Sequence, residues 1–87
     1  MNDHQTETVN LINDVIFDTN RRDSYQIEAV DNLLDRISDN IRHHNTFDPD
    51  VIRNVPIPTA GFGREGYDRD QVDEFLDRLA MRLEESR

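Results

Sequence analysis

The feature that most constrains this chain is that it is written twice. Shifting the sequence by 42 residues lays Arg22 on Arg64, Tyr25 on Tyr67, Val30-Asp31 on Val72-Asp73, and Leu34-Asp35-Arg36 on Leu76-Asp77-Arg78. Upstream, Ile12, Val15 and Phe17 meet Ile52, Val55 and Ile57 at an offset of 40, so the second copy carries two extra residues before its tyrosine. The extra residues fall in Thr59-Ala60-Gly61-Phe62-Gly63, a loop-like stretch where insertions are tolerated. A duplicated unit has to be explained once, together with the way it meets its own copy.

Each copy resolves into the same three pieces. A short helical turn spans about residues 8–13 and 48–54, the second opened by Asp48-Pro49, since proline suits the first helical position. An extended stretch and loop follow over residues 15–24 and 55–66, where Pro56 and Pro58 rule out helix. A long helix closes each copy. The second has a defined start, with Asp68 as cap and Gln71 placed to close a capping box; Gln26 and Ala29 at the matching positions predict a weaker start for the first. Gly66 before Tyr67 predicts a turn with positive φ, a freedom that Ser24 lacks.

Apolar residues on the second long helix fall at Val72, Phe75, Leu76, Leu79 and Leu83, and on the first at Val30, Leu33, Leu34, Ile37 and Ile41. This spacing makes one face of an α-helix, which a single helix cannot bury alone. The stripes must pack on each other, on a second chain, or both. The expectation is a mainly α single domain over residues 1–87, made of repeats at 12–45 and 48–87. Its long helices pair and a homodimer completes the packing. Short strand pairing between Val15-Ile16-Phe17 and Val55-Pro56-Ile57 fits the pattern, held to an edge by the prolines.

Composition narrows the function classes. A net charge of −9 opposes binding to nucleic acid or anionic lipid and favours basic partners. The absence of cysteine excludes disulfides and thiolate metal sites. No apolar run approaches the roughly 20 residues of a membrane span. Met1-Asn2-Asp3-His4-Gln5 lacks the basic and apolar regions of a signal peptide, so the cytoplasm is the expected location. Catalysis finds no support and no cofactor is expected. His43 and His44 are adjacent and would diverge on a helix, and Gly61-x-Gly63-x2-Gly66 lacks the βαβ setting of a phosphate loop.

The run Gly66-Tyr67-Asp68-x3-Val72-Asp73-x-Phe75-Leu76-Asp77-Arg78-Leu79 resembles the N-terminal motif of the DivIVA/GpsB family, and the two copies together are similar to its tandem-repeat, actinobacterial branch. The resemblance implies a cytoplasmic scaffold that dimerises and recruits cell-division or cell-wall proteins, peripheral to the membrane at division or growth sites. In DivIVA a Phe-Arg pair directly before Gly-Tyr inserts into membrane. Here Arg64-Glu65 and Arg22-Asp23 stand there, with Phe62 displaced upstream, so membrane insertion does not carry over. Phe62 and Arg64 remain candidates for a contact at the loop tip, although an aromatic in a loop is more often folded back onto its own core.

Asp73 and Asp77 lie four apart on one helix side, where like charges repel unless a cation sits between them. Arginine is the natural occupant, because its planar guanidinium donates to both carboxylates while its stem lies on an aromatic ring. In GpsB-type members the matching Tyr and Asp positions form a groove for Arg-containing tails. The resemblance therefore makes Tyr67, Asp73 and Asp77 one partner-binding set and Tyr25, Asp31 and Asp35 a second. The plainer account is a solvated acidic face beside a tyrosine that anchors packing. An acidic inhibitor or antitoxin-like protein that binds one basic protein is the alternative from a different class.

Overall fold

The computed structural model describes residues 3–44 and 48–85. Four helices and three very short strands run in the order α1 (Asp3–Asp14), β1 (Thr19–Asn20), β2 (Ser24–Tyr25), α2 (Ile27–His44), α3 (Pro49–Asn54), β3 (Gly66–Asp68) and α4 (Arg69–Glu85). The protein is mainly helical, with a small sheet in its middle.

The helix ends follow from local chemistry. Asp48 caps α3 by accepting from the Asp50 N–H at 2.9 Å, with Pro49 in the first turn. Asp68 caps α4 in the same way, accepting from the Gln71 N–H at 3.0 Å. The capping box is only half formed. The Asp68 N–H donates to the Asp18 carbonyl at 2.8 Å, so the Gln71 amide turns away and exchanges two hydrogen bonds with Asp18, at 2.8 and 2.9 Å. Among the described residues no side chain caps the start of α2. Its Val30 N–H donates to the Gln26 carbonyl, while the Gln26 N–H is taken by the Pro58 carbonyl across the chain.

The sheet order is β1-β3-β2, so the strand from the later half of the chain lies between the two strands of the earlier half. Both pairings are antiparallel, and Tyr25 stands directly opposite Tyr67. Asn20 shapes the turn between β1 and β2 by accepting from the N–H groups of Arg22 and Asp23. Gly66 has a role other than the predicted turn. The positive-φ glycines are Gly61 and Gly63, whereas Gly66 is in strand β3, where a Cβ would come within 2.3 Å of the Tyr25 carbonyl and 2.7 Å of Ser24 Oγ. Close approach of backbones, not a turn, is what needs glycine there.

The predicted pairing of residues 15–17 with 55–57 does not form. Pro56 and Pro58 supply no N–H groups, and the sheet is built further along, where Gly66 lets three backbones meet. The two segments contribute side chains instead. Phe17 is buried against Tyr67 and Phe75, with ring centroids 5.3 and 5.6 Å away, and Val15, Val55 and Ile57 are half-buried.

Both helical stripes are covered within one chain. Val30, Leu34, Ile37 and Ile41 of α2 and Val72, Phe75, Leu76, Leu79 and Leu83 of α4 are buried, with Leu33 half-buried. Val9 and Ile12 of α1 and Ile52 of α3 join the same core, α1 packing on α2 and α3 on α4. At roughly 1.5–3 kcal/mol for each fully buried large aliphatic side chain, these stripes dominate stability. A second copy is not needed to cover them.

Candidate functional site

The meeting of Tyr25 and Tyr67 in the sheet decides where their side chains go. The Tyr25 hydroxyl donates to Asp73 Oδ1 on α4 at 2.5 Å, and the Tyr67 hydroxyl donates to Asp31 Oδ1 on α2 at 3.0 Å. Each tyrosine therefore reaches across to the carboxylate of the other half. The expected sets are exchanged: Tyr67 stands with Asp31 and Asp35, and Tyr25 with Asp73 and Asp77. Strand β3 inserted between β1 and β2 is the cause, because it carries each ring past its own helix.

Two grooves result. The first, about 460 Å³, is floored by Ile12, Val15 and Leu34 and edged by Asn13, Asp31, Asp35 and Tyr67. The second, about 380 Å³, is floored by Ile52, Val55 and Leu76 and edged by Arg53, Asp73, Asp77 and Tyr25. Under the sequence offsets the named residues match, with one change of charge, Asn13 against Arg53; Ile16 also lines the first groove, while its counterpart Pro56 does not line the second.

Burial, and after it the bond to Asp73, pushes the Tyr25 hydroxyl above its ordinary pKa, with Arg69 opposing. Burial and Asp31 do the same for Tyr67. A phenol that must lose its proton beside a carboxylate resists doing so. Both hydroxyls therefore stay protonated donors through the neutral range.

The electrostatics of the second groove are satisfied from within. Arg53 Nε lies 3.5 Å from Asp77 Oδ1, and Arg53 also pairs with Glu84. The Arg69 guanidinium sits 5.8 Å from the centroid of the Tyr25 ring, and its Nε is 4.0 Å from Asp73 Oδ2. In the first groove Asp31 accepts from Tyr67, while Asp35 has no hydrogen bond or ion pair among the described residues. Arg53 and Arg69 were not foreseen as part of either site. The signal lay in the alignment, which sets them against uncharged Asn13 and Ile27.

The other candidates fall outside the grooves. Phe62 is 95% exposed, so it does not fold back on the core; its flanking glycines, with φ of 88° and 81°, hold the loop away from the body. Arg64 beside it is exposed too. Ile16, 89% exposed, is a second bare apolar side chain and lies on the edge of the first groove. The stripe residues form the core between the grooves and line them only through Leu34 and Leu76.

No family model matches the chain, and neither a curated protein nor a solved structure matches it.

Proposed function

We propose that this protein is a non-enzymatic scaffold or adaptor of DivIVA-like type, a duplicated unit folded against its own copy, that recruits partners by accepting arginine side chains at its Tyr/Asp grooves. The crossed hydrogen bonds, Tyr25 to Asp73 and Tyr67 to Asp31, carry this reading. They hold a flat ring and a carboxylate pair at one edge of an apolar trough, which suits a guanidinium with its aliphatic stem better than a point charge. The resemblance places such a protein with cell-division or cell-wall partners, peripheral to the membrane. The net charge of −9 raises the rate of encounter with any basic segment.

Binding of a short peptide with one arginine flanked by leucines, measured by calorimetry beside its Lys-for-Arg twin, tests the proposal. The arginine peptide is expected to bind roughly tenfold or more tighter, with part of its affinity surviving higher salt. Equal affinity for the two peptides, falling steeply with ionic strength, would instead identify an acidic inhibitor acting through diffuse surface charge.

A further inference from the structure

We infer that the two grooves are not equivalent: the groove of Asp31, Asp35 and Tyr67 is the one open to an outside arginine, and that of Asp73, Asp77 and Tyr25 is kept occupied by the chain's own Arg53. The inference rests on the arginine-accepting reading above and assigns its stoichiometry and its internal competitor.

The second groove displays its occupant. Arg53 reaches from α3 over to α4, where Asp77 and Glu84 take its guanidinium. Its neighbour Ile52 is buried in the core and Asp48 caps the helix, so the backbone that carries Arg53 is fixed. Arg69 covers the Tyr25 ring and faces Asp73, which leaves both carboxylates with a cation before any partner arrives. An incoming arginine would have to displace one ion pair to make another.

The first groove has the same carboxylate spacing and, among the described residues, no cation in its lining. Asn13 and Ile27 stand at the positions of Arg53 and Arg69, and neither carries charge. Asp31 and Asp35 lie four apart on α2 as Asp73 and Asp77 do on α4, so the Asp77 part of the seat that receives Arg53 is repeated at Asp35, while Glu84, the other part, has Arg42 as its counterpart. Exposed Ile16 on the rim, where the second half has Pro56, offers an apolar contact for a residue next to the incoming arginine. The occupant is thus an arginine with an apolar neighbour, and one segment binds per chain.

Calorimetric titration of the leucine-flanked arginine peptide into the full chain and four variants decides this. The expected result is one site in the natural protein, weakened at least tenfold by Asp35→Asn and unchanged by Asp77→Asn. Arg53→Ala is expected to create a second site, and Asn13→Arg, which supplies the first groove with its own cation, to weaken binding as Asp35→Asn does. Circular dichroism confirms that each variant is folded. Two sites in the natural protein, equal losses in Asp35→Asn and Asp77→Asn, or a single site persisting in Arg53→Ala would overturn the inference while leaving arginine recognition standing. No binding by any of the five proteins would overturn both.

Discussion

The groove beside Tyr67 and the groove beside Tyr25 are built from matching residues, with ordinary hydrogen bonding at the first and a crowded set of charges at the second. Both tyrosines donate across the sheet to an aspartate of the other half. Yet Tyr25 is the more deeply held, covered by Arg69 and bonded to an aspartate that also faces a cation, while Tyr67 lies at the mouth of a groove whose Asp35 has no ion pair among the described residues. The difference teaches that two stretches with the same residue pattern can keep a common framework and differ in charge through a few positions, Asn13 against Arg53, Ile27 against Arg69 and Arg42 against Glu84. None of these positions belongs to the shared pattern itself.

The comparison can be attacked first at the core, where the halves are most alike. Ile37 and Leu79 occupy matching positions and are fully buried, so Ile37→Ala and Leu79→Ala should each cost about 2–5 kcal/mol in chemical denaturation. Similar losses support two halves that share one core. A loss confined to one variant would mean that the other half folds around a different centre.

The tyrosines come next. Tyr25→Phe removes a part-buried bond to a carboxylate and should cost about 1 kcal/mol, and Tyr67→Phe, at a more exposed bond, about half of that. Alkaline titration followed by tyrosinate absorbance sharpens the same contrast. Both folded-state pKa values are raised, so the stabilisation is fully present below the ordinary value near 10 and is lost as pH rises through the raised values. The transition should move to lower pH in Asp73→Asn for Tyr25 and in Asp31→Asn for Tyr67. A shift seen at the tyrosine of the same half instead would contradict the exchange of partners.

The smallest effect concerns Ser38 and Ala80, which also match by position. Ser38 Oγ is buried without a hydrogen-bond partner among the described residues, whereas Ala80 fills the same place in α4 with a methyl group. Ser38→Ala should therefore stabilise the protein, by about 0.5–1 kcal/mol, through relief of an unsatisfied hydroxyl and better helix propensity. A loss of stability would show that the hydroxyl has a role that the core comparison misses.

Much of this architecture was legible in advance. The stripes at Val30 to Ile41 and Val72 to Leu83, the start of α3 at Asp48-Pro49 and the cap at Asp68 are written in residues close along the chain, and they appear as read. Three of the misreadings share one cause. Gly66, the 15–17 and 55–57 segments and the second half of the capping box all depend on which distant backbone arrives beside them. Gly66 faces Tyr25, and the Asp68 N–H is claimed by Asp18, 50 residues earlier. Phe62, an aromatic of the kind that more often returns to the core, is 95% exposed between two glycines of positive φ.

By itself the sequence determined where the long helices form and which faces they bury, because helical periodicity and capping are properties of residues a few positions apart. Only the tertiary structure decided that each tyrosine serves the opposite half and that Arg53 pairs with Asp77 and Glu84 at the edge of one groove. Two near-identical aspartate pairs compete for each tyrosine, and nothing local distinguishes them. The choice is made when strand β3 enters between β1 and β2, where a glycine without a Cβ lets the backbones close and turns each ring toward the other helix.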